Sequence, residues 1–185
     1  MDEQLDSAAE SNVSWVGKLA GGIVAGLVAA ILMMGFLMAY SSAIGQGPTM
    51  PLRSLGALVY GVEALVAGNV AIATGAGLQL GLSIALGILF GLAMSCRTSV
   101  IRAMLLGILL GIAIWVAMAL YVLPFMDPTM AARVALMPTA YFIAHLLLGI
   151  GLGMTPMFIR FFKRRFDRHA ASLTRCASCF CVASE

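Results

Sequence analysis

The chain has 185 residues, of which 62% are hydrophobic and 10% charged, and its mean hydropathy is +1.02. This composition excludes an ordinary soluble fold. The net charge of +3 comes without a basic stripe interleaved with aromatics, except at the end of the last apolar stretch, so we expect no nucleic-acid partner. The partner that the composition predicts is a lipid bilayer.

Four apolar stretches follow a short acidic head. Residues 1–14 are acidic and rich in Ser and Ala, which predicts a disordered tail. Each apolar stretch is long enough, at about 1.5 Å per residue, to cross a hydrocarbon core of about 30 Å. Backbone groups in lipid must be satisfied within the segment, so we expect an all-α polytopic membrane protein. The predicted spans are 16–41, 76–95, 99–122 and 137–162.

Prolines predict where several helices begin, end or bend. Asp127 followed by Pro128 is typical of an N-cap with proline at the first helical position, opening a short surface helix to about Leu136. Pro124 is expected to close the third span. Pro156 lies inside the fourth span and is expected to kink it.

Two motifs recur along the chain. The pattern P-T-M-x-x-R occupies 48–53 and 128–133, and the string Leu-Gly-Ile followed by glycine recurs from 86–91 to 148–153. We interpret the chain as two hairpin repeats, 15–94 and 95–162. Each repeat holds two spans, so the copies are parallel, with an axis along the membrane normal.

An apolar segment, 55–68, is inserted in the first repeat. It is too short to span the membrane and is expected to be an interfacial helix or a re-entrant piece on the outer side.

Basic residues predict the orientation. Nine of the eleven Lys and Arg residues fall on one predicted side of the membrane, and only Arg53 and Arg133 fall on the other. This positive-inside bias predicts cytoplasmic termini, with 163–185 as a basic, cysteine-containing cytoplasmic tail. We expect a bacterial inner-membrane location.

Every predicted span carries two glycines four positions apart. The spacing removes side chains from one helix face and favours close helix packing. Bulkier residues occupy the outer half, which predicts a bundle that is pinched inside and wider outside. The pairs are Gly22 and Gly26, Gly87 and Gly91, Gly107 and Gly111, and Gly149 and Gly153.

His145 is the only ionisable residue deep within a predicted span. Aligning the repeats on the glycine motif places Gln79 at the position of Tyr141 and Ser83 at that of His145, so we expect one intramembrane polar site. Three interpretations stay open for His145: a hydrogen bond between helices, a proton or substrate site, and a metal or haem ligand.

Four charged residues lie on the predicted outer side: Arg53, Glu63, Asp127 and Arg133. Two positive and two negative charges balance, so we expect ion pairs that fix the loops. At an exposed surface such pairs contribute under about 1 kcal/mol each.

Sulfur-containing side chains suggest metals without a defined site. Thirteen methionines are compatible with Cu(I), but their spacing favours a role as apolar filler. Cys176, Cys179 and Cys181 have metal-like spacing, yet in a reducing cytoplasm we interpret them as free thiols. We expect no cofactor.

The string from His145 to Gly153, with the glycine-rich first span, resembles small uncharacterised bacterial inner-membrane proteins of the YagU-like kind. The resemblance covers the four spans, implies topology and bacterial origin, and carries no activity.

No nucleotide-binding, serine-triad or zinc-protease motif is present, so we do not expect an enzyme. Three hypotheses follow. The first is an accessory or structural protein that packs through its glycine faces, in a homo-oligomer or a larger membrane complex. The second is a homo-oligomeric transporter or channel for a small solute or protons. The third is a metal- or haem-handling protein.

Overall fold

A computed structural model describes the backbone of residues 2–66, 68–94, 98–126 and 128–165, and the side chains of these residues except 2–14 and 129. The helices are α1 (Asp2–Ala43), α2 (Met50–Tyr60), α3 (Asn69–Ala93), α4 (Val100–Ala117), α5 (Leu123–Met126), α6 (Pro128–Leu136) and α7 (Pro138–Gly153). A 3₁₀ turn, Gly61–Leu65, follows α2, and a π-helical turn, Met118–Val122, joins α4 to α5. The described chain is all-α, as predicted.

Four helical stretches are long and apolar enough to cross a membrane, which confirms the predicted number. They are Trp15–Ala43, Asn69–Ala93, Val100–Met126 and Pro138–Arg165. Large apolar side chains also cover the surface of the helix bundle. They include Ile31, Leu89 and Leu109, each more than 60% exposed. Such a surface is stable only against lipid or another apolar partner, so the chain is a multi-pass membrane protein.

The start of two helices differs from the prediction. α1 begins at Asp2, so residues predicted to form a disordered tail continue the first helix. Acidic residues near a helix N-terminus interact favourably with the helix dipole. α3 begins at Asn69, seven residues before the predicted span. Its first turns include Asn69, Thr74 and Gly75, which lower the local hydropathy. The hydropathy pattern therefore predicted a span that begins too late.

The prediction that Pro124 closes the third span is wrong. The helix passes through Pro124 and ends at Met126. A proline lacks the N–H that would bond the carbonyl four residues back, here that of Leu120. The π turn has already changed the bonding register at this point, because the N–H of Leu123 donates to the carbonyl of Met118.

Helical hydrogen bonding changes at Met154, close to the kink predicted at Pro156. Pro156 has no N–H for the carbonyl of Leu152. The hydroxyl of Thr155 donates to that carbonyl instead, at 2.5 Å. Helix resumes and continues to Arg165.

The inserted segment 55–68 falls largely in α2 and the 3₁₀ turn, and α2 forms a second layer against α3. α2 begins at Met50 rather than near 55, and α6 covers the predicted Pro128–Leu136. A Cβ added at Gly56 would lie 3.4 Å from Ala71 Cα, so α2 packs on the first turns of α3 almost backbone to backbone.

The bundle consists of two crossed pairs joined in the middle. α1 packs on α3, α4 packs on α7, and α1 packs on α7. The stretch that contains α7 is 56% buried and the stretch that contains α4 is 17% buried, so α7 is the central helix. Its Gly151 lies on the backbone of Ala29 in α1, a contact that the glycine pairs did not predict.

Candidate functional site

The predicted glycine pairs lie against one another within this chain. A Cβ added at Gly22 would lie 2.6 Å from the carbonyl oxygen of Gly87, and one added at Gly91 would lie 2.8 Å from that of Lys18. In the other pair of helices, a Cβ at Gly107 would lie 2.9 Å from the backbone nitrogen of Gly153. These distances are too short for any side chain, so glycine permits both crossings.

Each crossing ends at a polar residue. Gly26 contacts the carbonyl oxygen of Ser83, and Gly111 contacts that of His145. The two residues thus occupy corresponding places, at a glycine contact of α3 with α1 and of α7 with α4. Beyond them, towards Ser41, the glycines of α1 and α3 do not pack these two helices together, since a Cβ at Gly35, Gly77 or Gly81 would meet no atom within 4 Å.

His145 is buried, with 8% of its surface exposed, and its protonation pattern follows from one contact. Its Nδ1 lies 2.7 Å from the carbonyl oxygen of Tyr141, one turn earlier in α7. A carbonyl oxygen can only accept, so a neutral ring carries its hydrogen on Nδ1 and a lone pair on Nε2. Nε2 has no hydrogen-bond partner among the described residues.

Gln79 and Ser83 form the predicted polar pair on α3. The amide Nε2 of Gln79 donates to the hydroxyl of Ser83 at 3.3 Å and lies 3.4 Å from the sulfur of Met33 in α1. Ser83 is 1% exposed. Since the pair is one helical turn apart, both side chains face the same side of α3.

All four predicted polar residues line one cavity of about 220 Å³. Its wall is otherwise mainly apolar. Leu37, Ile114 and Met118 belong to its sides, and α2 and α6 contribute Pro51, Leu55, Met130 and Val134. The cavity therefore lies between the glycine crossings and these two short helices.

Arg133 ties α6 over this cavity. Its Nε donates to the Tyr141 hydroxyl at 3.0 Å, and one of its terminal nitrogens donates to the Ser41 hydroxyl at 3.4 Å. Ser41 in turn donates to the Gly47 carbonyl at 2.8 Å. The sequence pattern indicates Arg133 and Tyr141 separately, but it predicts neither their contact nor the role of Ser41.

Within the described residues, Arg53 and Arg133 bond uncharged partners, and the predicted ion pairs with Glu63 do not form there. Arg53 donates to the carbonyl oxygen of Leu65 at 3.0 Å, and Arg133 bonds the two hydroxyls just described. In the described part of the chain neither arginine pairs with Glu63, which is exposed. Both arginines are half-buried, and Nε of Arg53 has no hydrogen-bond partner among the described residues, so its donors are only partly satisfied. Asp127 lies outside the described residues.

Among the described residues, the side chains that could bind a metal are mainly methionines. No three His, Cys, Asp or Glu residues come together in the ranges that the structure describes. Cys176, Cys179 and Cys181 lie outside those ranges. Met33, Met34, Met118 and Met130 line the same cavity as His145, a grouping that sequence spacing did not predict.

The comparisons with known proteins provide no relative. No protein-family model, curated protein or solved structure matches the chain. The resemblance to YagU-like proteins therefore stays a prediction, and the functional argument depends on the geometry of the cavity.

Proposed function

We propose that this protein binds a small, mainly apolar solute in the cavity between its four long helices, as the binding step of a transporter or carrier. The observation that carries this proposal is that Gln79, Ser83, Tyr141 and His145, from two helices, line one otherwise apolar cavity. Binding pockets typically combine an apolar wall with a few placed polar groups.

The use of glycine favours this hypothesis over docking to other subunits. The four predicted glycine pairs pack α1 against α3 and α4 against α7. A face that already contacts a helix of its own chain is not available to a partner. The structure thus gives the packing role an internal explanation, and the cavity is what remains to be explained.

The proposed duplication is supported by the two crossings. Gly22 meets Gly87 as Gly107 meets Gly149, and each crossing ends at a polar residue of the repeat. From the positive-inside bias we propose that the cavity lies in the outer half of a bacterial inner membrane.

A second candidate function is the binding of Cu(I). Four methionines and the Nε2 of His145 around one cavity favour it, because thioethers and imidazole are suitable ligands for Cu(I). The guanidinium of Arg133, hydrogen-bonded to Tyr141 of the cavity wall, disfavours a cation. Copper retained at one ion per chain after purification, and lost in His145→Asn, would establish this candidate.

The main proposal is tested by closing the cavity. Benzene is the probe, because an apolar cavity of about 150 Å³ suffices to bind it in another helical protein. In mild detergent, benzene at about 100 times its Kd should stabilise the fold by about 2.7 kcal/mol, which raises Tm by several degrees. Val134→Phe, which fills the cavity from α6, should abolish this shift.

The matched control is Val70→Phe, because Val70 is 66% exposed on α3 and does not line the cavity. It should retain the full benzene shift. An equal shift in wild type and Val134→Phe would show that benzene acts through the detergent, and the proposal would then fail.

A further inference from the structure

We infer that the solute is a neutral molecule of single-ring size that donates a hydrogen bond from a hydroxyl group, which makes it a phenol. This inference rests on the proposed function, since it names the class of ligand for the same cavity. It follows from the charge, the unused polar atoms and the size of the cavity.

The lining excludes an ionic ligand. No Asp, Glu, Lys or Arg is among the described residues that line the cavity. A charge transferred from water to an apolar site without a counter-charge is strongly unfavourable. Arg133 is not a lining residue, because its guanidinium is held behind the wall by the Tyr141 and Ser41 hydroxyls, so a ligand anion would contact no counter-charge in the cavity. The ligand is therefore neutral.

The unused polar atoms are mainly acceptors. Nδ1 of His145 is bonded to the Tyr141 carbonyl, which leaves the lone pair of Nε2. The amide nitrogen of Gln79 is directed at Ser83 and Met33, which leaves its Oε1. No hydrogen bond among the described residues reaches Nε2 or Oε1. Because His145 and Gln79 line a mainly apolar cavity, a ligand that brings an O–H or N–H can satisfy these acceptors.

A hydroxyl also fits the remaining polar atom. The oxygen of Ser83 accepts from Gln79, so its own hydrogen is free to be donated. A ligand hydroxyl can donate to His145 Nε2 and accept from Ser83, whereas a protonated amine would bring the excluded charge.

Size and wall chemistry point to an aromatic ring. At about 220 Å³ the cavity holds one ring with small substituents. Four methionines line it, and thioether sulfur makes favourable contacts with aromatic rings. The same hydroxyl-bearing ring occurs in free phenols and in membrane-dissolved hydroquinones.

The test compares three probes by titration calorimetry in mild detergent, with protein-free micelles subtracted. Phenol carries the donor, anisole has a similar ring with an ether oxygen in its place, and benzene has neither. Phenol should bind wild type about fivefold more tightly than anisole, the ratio expected for one net hydrogen bond. An alkyl chain in the para position should weaken binding if the source is a free phenol and strengthen it if the source is a lipid-like hydroquinone.

The decisive variant is His145→Asn. Its amide can keep the donor to the Tyr141 carbonyl but removes the acceptor at Nε2, so the preference for phenol over anisole should fall to about twofold or less. Gln79→Met, which removes Oε1 and keeps the length of the side chain, is the second variant if His145→Asn does not fold. Gly81→Ala, in open space on α3, should keep the wild-type preference.

Different results would overturn the binding function and the inference that the ligand donates a hydrogen bond. Equal affinity for phenol and anisole, with a benzene shift still abolished by Val134→Phe, overturns the donor inference and leaves the binding function intact. Binding of all three probes that Val134→Phe does not change overturns both.

Discussion

On the side of Gly22 and Gly107 the helices meet backbone to backbone, whereas on the side of Ser41 and Tyr141 side chains hold them apart around a cavity. The same four helices build both regions. Ser83 and His145 mark the border in the long helices, because Gly26 meets the Ser83 carbonyl and Gly111 meets the His145 carbonyl. The comparison indicates that the first region provides rigidity and the second provides space for a ligand.

The largest expected effect on stability comes from adding one methyl group where the helices meet backbone to backbone, here called the glycine region. Gly149→Ala would place a Cβ 2.9 Å from the Gly107 carbonyl carbon, and the two backbones must separate. Overpacking of this kind costs about 1–3 kcal/mol, and we expect the upper end because the neighbour is backbone. The free energy of unfolding, measured by circular dichroism in mixed micelles, checks this.

Gly81→Ala is its matched control, because no atom lies within 4 Å of a Cβ there. It should leave stability unchanged or raise it by up to about 1 kcal/mol, as alanine does in helices. Equal losses in both variants would show that the close glycine contacts contribute nothing specific.

A smaller effect is expected in the cavity region. Arg133→Met keeps an apolar stem but removes the donors to Tyr141 and Ser41, which join α6 to α7 and α1. Hydrogen bonds to charged groups contribute about 1.5–3 kcal/mol, and partial access to solvent reduces this to about 1.5 here. The same unfolding assay measures the loss.

Arg102→Met provides the comparison, because Arg102 is exposed near the start of α4. It should change stability by less than about 0.5 kcal/mol. If Arg133→Met is as mild as Arg102→Met, α6 is not held over the cavity by this arginine.

The smallest expected effect tests how the glycine region tolerates Pro156. Thr155→Val removes the hydroxyl that bonds the Leu152 carbonyl, at a cost of about 1 kcal/mol. In a Pro156→Ala background the restored N–H can satisfy that carbonyl, so the same change should cost about half as much. A double-mutant cycle measures the difference, and strict additivity would contradict it.

Much of the fold was predictable because it depends on the hydropathy summed along each short segment of the chain. Span number, helix content and the helix Pro128–Leu136 follow from hydropathy and proline position. The end of the third span was not, because Pro124 ends a helix only if its missing N–H leaves a carbonyl unsatisfied, and the π turn changes which carbonyl that is.

The candidate site was predictable in part. Aligning the repeats named Gln79, Ser83, Tyr141 and His145, which the structure brings to one cavity. The partners of Arg133 and the four methionines were not predicted. Ser41 lies 92 residues before Arg133, and the methionines come from α1, the π turn and α6, so no spacing rule relates them. The second copy also has five fewer residues between its glycine pair and its P-T-M motif, so one alignment cannot describe both regions.

The sequence by itself determined that this is an all-α membrane protein with four spanning helices, because transfer of apolar side chains into lipid is summed along each segment. Only the tertiary structure decided that α2 folds onto α3, that the glycine faces are used within the chain, and that a cavity remains between them. Those features depend on which helix faces meet, and the energy of a contact between faces exists only once both helices are in place.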